Sequence, residues 1–593
     1  MKNLKHMRQL VALALTGFGL CLPVLAADKL RPNIVVLVAD DWGFTDVGAF
    51  GGEIATPHLD DLARRGMRFS NFHVAASCAP TRAMLLTGVD NHRNGIGNLR
   101  ETMPQAHLGK PGYQGSLEKR AVTVATLLKD SGYRTYITGK WNVGNEPYNL
   151  PNQRGFDRSI VQGDTGSDNW EPNKRYLPHA ATVNWYENGQ VAVMPAEFYS
   201  SAYFVDKAIG YLDADAQSKQ PFFAYLGFQA NHVPVQAPQA FIDKYKGRYT
   251  QGWTALRQAR RDKAVELGLI PKDTAMRNMS TTKDWAALSE KEKHHQAREM
   301  EVYAAMADAM DHHVGRFVAH LKKTGQYDNT VFVFLSDNGA EGSDYDEAQI
   351  WLKTQYTQDT EKLGGKGAYA IPGPGWASAS VSPLYTYKFY AGEGGVRVPL
   401  IISGVAGMPQ NQIHHSMAHV TDIVPTLLDL AGVAQPGRQY RGQLVEPLQG
   451  RSLVSVLQGT SSQVHPAEQP IGYELSGSQA LFKGDLKLVK NIAPVGDGQW
   501  YLYDIKHDPG ETKDLKTTMP EVYKVMQADY ATYAKSNDIL AMPDGYNPVR
   551  QVVINSFVNY WIPAYKTPVL ASLLGITLAA LAVFGLRRRR SAK

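Results

Sequence analysis

Short runs of apolar residues, each bounded by polar or turn-forming residues, recur along the chain and predict buried strands. Segments with helical periodicity separate these runs, most clearly Met300–Leu321, where apolar residues recur at spacings of four and seven. Strands that alternate with helices are typical of an α/β protein whose mostly parallel sheet is covered on both faces. The predicted strands are Asn33–Ala39, Thr135–Thr138, Pro221–Phe228, Val331–Ser336 and Val398–Ser403.

The pattern changes at about residue 434, where short predicted strands follow one another without an intervening helix, and a helical segment then covers Glu521–Ala534. We therefore predict an α/β domain over residues 30–433, with a large mixed, mostly parallel sheet sandwiched by helices. A smaller C-terminal subdomain of antiparallel sheet plus helix is predicted over 434–537, and a linker over 538–567. The strands of the subdomain are predicted at Ile471–Leu475, Gln479–Lys483, Leu486–Lys490 and Trp500–Tyr503.

The N-terminus has the pattern of a secretory signal peptide over residues 1–26. Three basic residues precede a mostly apolar stretch at Leu10–Leu22, and Ala26 offers a small-residue cleavage site. A retained N-terminal helix is the alternative, although this apolar stretch is short for a membrane span. We expect an exported protein.

The C-terminus predicts a membrane anchor. Residues 568–586 are nineteen residues without a charge, and the basic tail 587–593 follows them. Tyr560, Trp561 and Lys566 precede this stretch, as in the interfacial belt of a transmembrane helix. The predicted location is therefore the periplasmic or other extracytoplasmic face of a membrane, with a buried core helix as the alternative for 568–586.

The charge and cysteine content narrow the function. The formal net charge of +6 includes +3 from the signal region and +5 from the basic tail, which leaves −2 for the rest of the chain. No nucleic-acid partner is therefore expected. The chain has two cysteines, and cleavage of the signal peptide would remove Cys21. Cys78 would then be the single thiol of the mature chain, which excludes an internal disulfide.

Two predicted strands end in acidic residues. Asp40 and Asp41 follow the first strand, and Asp337 and Asn338 follow the fourth. Function in open α/β sheets collects at the carboxyl ends of the strands. Three carboxylates and an amide oxygen suit Ca²⁺ or Mg²⁺ rather than zinc. Each pair alone also fits a turn or a helix cap, but two such ends in one sheet favour a metal site.

Cys78 lies in the stretch SCAPTRAMLLTG, with Pro80 and Arg82 close behind it. Pro80 favours the first turn of a helix, so Cys78 is predicted at a helix N-terminus, where free N–H groups favour an anion. Arg82 can lie on the same face. A buried structural cysteine is one interpretation, and a low-pKa thiolate nucleophile is the other.

The stretch CAPTR resembles the sulfatase signature C-x-P-x-R, and AMLLTG extends it in the expected place. In that family a maturation enzyme oxidises the cysteine to Cα-formylglycine, whose hydrate is the nucleophile. The resemblance runs from about Arg31 to Arg550 and is closest to the large bacterial arylsulfatases. It implies the fold of the alkaline-phosphatase superfamily. The further motifs that carry it are DDWG, GKPGY, GYRTYITGKW, FQANHVPVQAP, MEVYAAM, SDNG, GPGWASAS, GEGGVRVPLI and YLYDIKHDPGETKDL.

The resemblance implies a metal site and a set of catalytic residues. Ca²⁺, with Mg²⁺ as the alternative, would be bound by the formylglycine made from Cys78 together with Asp40, Asp41, Asp337 and Asn338. Arg82 would support the aldehyde hydrate, Lys140 and Lys388 would hold sulfate oxygens, and His232 would assist the leaving group. The implied activity is hydrolysis of small aryl or alkyl sulfates, with a formylglycine-generating maturation enzyme as a partner.

One position departs from the family pattern. Sulfatases usually have histidine after GKW, as the base for sulfate expulsion, and this chain has Asn142. Asparagine is not a useful base near neutral pH, so the base would be Lys140, His73, His92 or water. Two other functions stay open. One is a phosphonate or phosphate diester hydrolase on the same scaffold, and the other is a catalytically silent receptor for sulfated ligands.

Overall fold

The computed structural model describes residues 31–177, 182–343, 349–563 and 566. The predicted signal peptide and the predicted segments 568–586 and 587–593 lie outside the described residues. The strands are β1 (Asn33–Ala39), β2 (Gly66–Phe69), β3 (Phe72–His73), β4 (Arg134–Lys140), β5 (Arg158–Gln162), β6 (Trp185–Glu187), β7 (Gln190–Val191), β8 (Phe222–Gly227), β9 (Thr330–Ser336), β10 (Leu400–Ser403), β11 (Gln412–His414), β12 (Ala418–His419), β13 (Gln439–Tyr440), β14 (Gln443–Leu444), β15 (Ile471–Leu475), β16 (Ser478–Lys483), β17 (Leu486–Lys490) and β18 (Tyr501–Asp504). The α-helices are α1 (Pro57–Arg64), α2 (Cys78–Thr87), α3 (Asn91–Asn94), α4 (Val124–Asp130), α5 (Ser200–Ala214), α6 (Gln239–Ile242), α7 (Gly252–Glu266), α8 (Glu290–Lys323), α9 (Gln349–Gln355), α10 (Gly373–Ser380), α11 (Glu393–Val396), α12 (Ile423–Leu430), α13 (Val454–Leu457), α14 (Pro520–Ser536) and α15 (Pro548–Ser556).

Ten strands form one large sheet, in the order β11-β2-β10-β9-β1-β8-β4-β5-β6-β7. Strand β1 is parallel to both of its neighbours, β8 and β9, and the parallel run continues through β4 and β5. Strands β10, β6 and β7 run antiparallel to their neighbours. The predicted large, mostly parallel sheet is therefore confirmed.

Hydrophobic residues cover both faces of this sheet. Val35 and Leu37 of β1 pack in one buried cluster with residues of α8, whereas Val36 and Val38 pack in a second cluster with residues of α2 and α12. Successive side chains of a strand point to opposite faces. The sheet therefore has a core on each side, as the short apolar runs predict.

The register of the central strands places the site. Ala39 at the end of β1 pairs with Ser336 at the end of β9. Asp40 directly follows β1 and Asp337 directly follows β9. Both aspartates therefore lie at the same edge of the sheet. Lys140 is the last residue of β4, which is parallel to these strands and ends at that edge.

A second sheet, the small sheet, contains four antiparallel strands in the order β15-β16-β17-β18. Helix α14 packs on it, because Leu481 and Leu488 of the sheet form a buried cluster with Met526 and Tyr530 of the helix. The smaller antiparallel sheet with its helix is therefore confirmed. Part of the predicted linker is also helical, since α15 lies at Pro548–Ser556.

The predicted membrane anchor requires a correction. Among the described residues, no helix is both long enough and apolar enough to cross a membrane. The longest of them, α8, has 34 residues, but charged side chains occur along much of its length. This finding conflicts with a C-terminal transmembrane anchor, and the predicted membrane localisation is corrected accordingly. The predicted span itself, 568–586, lies outside the described residues.

Candidate active site

Predicted metal ligands meet at the carboxyl edge of the large sheet. One ligand atom from each of Asp40, Asp41, Cys78 and Asp337 lies within 4.8 Å of the others, and all four residues are buried. Asn338 joins this cluster because its Nδ2 donates to Asp41 Oδ1 at 2.6 Å. The Oδ1 of Asn338 is buried and has no hydrogen-bond partner among the described residues. A free amide oxygen beside crowded carboxylates fits a hard divalent cation.

Cys78 is the first residue of α2, and its N-cap Ser77 has an extended backbone. Its Sγ lies 3.5 Å from Asp40 Oδ1, and the side chain is buried and unpaired. Burial raises the pKa of the Cys78 thiol, although the ammonium groups of Lys140 and Lys388 oppose this effect. The surroundings of an unmodified Cys78 therefore favour the protonated thiol over the thiolate nucleophile.

Three buried cations contact the three aspartates. Their burial excludes water, and each carboxylate keeps its cation charged. Arg82 also donates from Nη1 to the carbonyl of Lys140 at 3.1 Å. The shortest contact of each pair is Arg82 Nε to Asp337 Oδ2 at 2.7 Å, Lys140 Nζ to Asp40 Oδ2 at 2.6 Å, and Lys388 Nζ to Asp41 Oδ1 at 2.8 Å.

The adjacent aspartates have opposite pKa shifts. Burial and then the charge of Asp337 raise the pKa of Asp40 to about 7. Burial acts in the same direction on Asp41, but the positive charges of Lys388 and Lys140 lower the pKa of this carboxyl to about 2. Crowded carboxylates titrate unequally because the second negative charge is disfavoured.

His232 has one nitrogen free to face the cluster. Its Nδ1 lies 2.8 Å from the carbonyl oxygen of Val233, so Nδ1–H donates there and Nε2 carries the lone pair of the neutral ring. The Nε2 lies 4.0 Å from Asp41 Oδ2. Burial, followed by the charges of Lys140 and Lys388, lowers the pKa of His232. The ring is therefore held neutral next to the cations.

Asn142 lies just beyond β4, and its backbone has a left-handed φ of 57°. Its Oδ1 is buried without a hydrogen-bond partner among the described residues. The two histidines considered as substitutes for a base are engaged elsewhere. His73 Nε2 lies 3.1 Å from Glu393 Oε2, and the ring of His92 lies between two carboxylates.

Two buried side chains of the site were not predicted. Glu341 Oε2 lies 3.1 Å from Lys388 Nζ, and Tyr303 Oη donates to the carbonyl of Asp41 at 3.1 Å. Glu341 follows Asn338 by three residues, and Tyr303 lies inside the motif MEVYAAM. Their positions beside SDNG and within MEVYAAM are the sequence signals for these two residues, but their contacts come from the tertiary fold.

Comparison with known proteins gives the family. The model of the family described as Sulfatase matches residues 32–433. The chain is 35% identical over 459 residues to an arylsulfatase of Klebsiella aerogenes, which covers 77% of this chain and 97% of the relative. It is 36% identical over 539 residues to an uncharacterized sulfatase of Schizosaccharomyces pombe, with coverage of 88% and 96%.

A solved structure shares the fold. The crystal structure of Ps i-CgsB in complex with k-i-k-neocarrahexaose superposes with a TM-score of 0.62 at 22% identity, and the match covers 89% of this chain and 98% of the other. The family match extends over more than half of the chain and includes the buried cluster. This chain therefore belongs to the sulfatase family and is a sulfuric ester hydrolase.

Proposed function

We propose that the protein hydrolyses sulfate monoesters of phenols or alcohols at the cluster around Cys78. The observation that carries this proposal is the meeting, at one buried edge, of an unpaired cysteine, four oxygen-bearing side chains and three cations. The arylsulfatase relative of Klebsiella aerogenes supports an aryl sulfate as the first substrate to test.

Asp40, Asp41, Asp337 and Asn338 would hold a Ca²⁺ ion, with Mg²⁺ as the alternative, together with the side chain at position 78. The Oδ1 of Asn338, which has no hydrogen-bond partner in the described part of the chain, and the crowded carboxylates support this assignment. When bound, the ion supplies positive charge that offsets negative charge on the sulfuryl oxygens. The identity of the ion is part of the proposal.

Cys78 is the proposed precursor of Cα-formylglycine, produced by a formylglycine-generating maturation enzyme. An unmodified Cys78 would be a poor nucleophile because burial raises the pKa of its thiol. The hydrate of the aldehyde has two hydroxyl groups on one carbon. Such a hydrate would supply one hydroxyl to attack sulfur, with its proton passing to the departing alcohol oxygen, and a second hydroxyl whose loss of a proton would expel sulfate and restore the aldehyde.

The cations bind and orient the ester in this proposal. Lys140 and Lys388 donate from buried ammonium groups and would hold the sulfate oxygens, where exclusion of water strengthens each contact. Arg82 would hold the hydrate in place, as the fourth residue after Cys78 on the same helix. His232 would assist the departing alcohol through Nε2, the nitrogen that faces the cluster, by accepting the proton that the attacking hydroxyl loses and passing it to the alcohol oxygen.

We also propose the boundaries of the domains along the chain. Residues 30–433 would form the catalytic domain, residues 434–537 the C-terminal subdomain, and residues 538–567 the segment that follows it. The small sheet and α14 support the second of these units.

Paired substrates with one leaving group test the proposed function. The protein, expressed with a formylglycine-generating enzyme, is assayed with 4-nitrophenyl sulfate and with a phosphonate monoester of 4-nitrophenol, and inorganic sulfate is measured beside the phenol. We expect a higher kcat/KM for the sulfate, with one sulfate released per phenol, and no turnover by Cys78→Ala. A higher kcat/KM for the phosphonate would assign the second hydrolase activity instead. Binding of sulfated ligands without any turnover would assign a receptor.

A further inference from the structure

The small sheet reaches the segment that carries Cys78. Tyr473 of β15 is 3% exposed, and its Oη accepts a hydrogen bond from the amide of Ala76 at 3.0 Å. Ala76 precedes Cys78 by two residues. The carbonyl of Ala76 in turn accepts from the amide of Phe389 at 2.7 Å, and Phe389 directly follows Lys388. The N–H and the carbonyl of Ala76 are thus both hydrogen-bonded to residues more than three hundred positions away in the chain.

The small sheet also reaches the segment that carries Lys388. Asn491, the residue after β17, accepts on Oδ1 from the amide of Ala391 at 2.7 Å. The amide of Lys388 donates to the carbonyl of Ala340 at 3.1 Å, two residues after Asn338. The nucleophile segment, the Lys388 segment and the segment of the metal ligands are therefore connected through consecutive backbone hydrogen bonds.

A buried network of charged side chains also joins the small sheet to the segment that carries Lys388. Lys487 of β17 is fully buried, and its Nζ lies 2.8 Å from Glu393 Oε1 and 3.0 Å from Glu511 Oε1. Glu511 Oε2 accepts from the amide of Glu393 at 2.9 Å. Glu393 begins α11, so this network holds the C-terminal end of the loop that contains Lys388.

The backbone around Lys388 needs such support. Thr386 and Phe389 have left-handed φ angles of 66° and 75°, which residues other than glycine adopt at a cost in free energy. A backbone of this kind persists only where surrounding contacts determine it. The hydrogen bonds of Phe389 to Ala76 and of Ala391 to Asn491 are two such contacts.

We propose that the small sheet positions the nucleophile and the sulfate-binding lysine, with Tyr473 and Asn491 as the positioning residues. Neither side chain is placed in contact with the substrate. Their effect passes through the backbone of Ala76 and of Ala391, which set the distance between residue 78 and Lys388. This role rests on the proposed function, because it concerns the geometry of that reaction.

Tyr473→Phe tests the role, and Tyr533→Phe is its matched control. Tyr533 of α14 also hydrogen-bonds to the catalytic part of the chain, since its Oη donates to Asp90 Oδ2 at 2.8 Å, but Asp90 lies in a segment without site residues. We expect Tyr473→Phe to lower kcat for 4-nitrophenyl sulfate by about 10- to 100-fold, the usual cost of a small misplacement of reacting groups. KM, bound metal and formylglycine content should stay at their wild-type values. Tyr533→Phe should lower the melting temperature by a similar amount to Tyr473→Phe but leave kcat unchanged.

Asn491 gives a second test with an internal rescue. Asn491→Leu removes the acceptor for the amide of Ala391 and should lower kcat, whereas Asn491→Asp keeps an acceptor oxygen and should retain most of it. Unchanged kcat in both Tyr473→Phe and Asn491→Leu would overturn the positioning role. In that case the activity of the wild type would still support the proposed function. An equal loss of kcat in Tyr473→Phe and Tyr533→Phe would also overturn it, as a general effect of stability. A formylglycine-containing wild type that releases no sulfate would overturn the proposed function and this role with it.

Discussion

The ammonium of Lys388 lies 2.9 Å from Oδ2 of Asp41, although 347 positions separate the two residues in the chain. Lys388 also lies 3.1 Å from Glu341, so two carboxylates flank one buried ammonium group. This arrangement holds a positive charge beside the cluster that contains Cys78. It gives Lys388 a place in the site that its sequence context alone does not define.

Lys388→Met should therefore lower turnover strongly. The substitution removes a cation from a water-excluded site, and loss of one such stabilising group commonly costs about 10² to 10³ in kcat. Hydrolysis of 4-nitrophenyl sulfate by the purified variant measures the effect. Lys244→Met is the control, because the Lys244 side chain is 53% exposed and pairs with Asp308, outside the cluster, so kcat should stay unchanged. Wild-type kcat in Lys388→Met would rule out a role for this lysine in binding the sulfuryl group.

Asp337→Asn should lower the content of bound Ca²⁺ as well as activity. The change keeps the shape of the side chain but removes a charged ligand from the proposed metal site. Elemental analysis of the purified variant measures the metal directly. Asp311→Asn is the control, since Asp311 is also buried but accepts from the amides of His58 and Leu59 at the start of α1. It should cost about 1 kcal/mol of stability, as for a lost helix cap, without loss of metal. Equal metal content in both variants would be inconsistent with the site.

Asn142→His should raise the steady rate of turnover more than the first release of alcohol. General-base assistance is commonly worth about 10² to 10⁴ in rate, and Asn142 offers no base for sulfate expulsion. We expect the wild type to show a burst of 4-nitrophenol followed by slower turnover in rapid-mixing experiments. Asn142→Ala is the control, because it changes the side chain without adding a base. If the wild type shows no burst and Asn142→His shows no gain in the steady rate, another group already serves as the base for sulfate expulsion.

The stability of the fold should fall between pH 6.5 and 9 because of His92. Burial alone would lower the pKa of His92, but its hydrogen bonds to Asp90 and Glu474 raise the pKa to about 9 from the ordinary 6.5. The folded state therefore favours the protonated ring, and this stabilisation is complete below pH 6.5 and is lost as the pH rises through 9. The shift corresponds to roughly 3 kcal/mol.

Urea unfolding at pH 6 and pH 9 measures this effect. His92→Gln should remove most of the difference between the free energies of unfolding at pH 6 and pH 9. His507→Gln should preserve it, because the His507 side chain is 71% exposed. An unchanged difference in His92→Gln would assign the pH dependence to other groups.

Much of the fold could be predicted because its strands are short apolar runs between turn signals. The predicted bounds of β15 and β17 agree with the structure to the residue. Strands of two or three residues, such as β6, β7, β11 and β12, were not predicted, because pairing with a neighbouring strand defines such short segments and their own composition does not. The membrane helix was predicted from apolar composition and charge alone, and the described residues contain no membrane-spanning helix.

The candidate site was predicted from motifs, and the structure adds what motifs do not contain. Asp40 and Asp337 could be placed together because parallel strands end at one edge. The contacts of Glu341, Tyr303 and Tyr473 could not be predicted, since they join segments far apart in sequence. Tyr473 and Ala76, for example, are 397 positions apart. No local pattern of hydrophobic or polar residues records such a contact.

The mass of the peptide Phe69–Arg82 from active enzyme distinguishes formylglycine from cysteine at position 78. Trypsin releases this peptide by cleavage after Arg68 and Arg82, and it contains Cys78. We predict that enzyme produced with a formylglycine-generating partner carries an aldehyde in place of the thiol, in proportion to its specific activity toward 4-nitrophenyl sulfate. A peptide recovered wholly as the thiol from fully active enzyme would exclude formylglycine as the nucleophile.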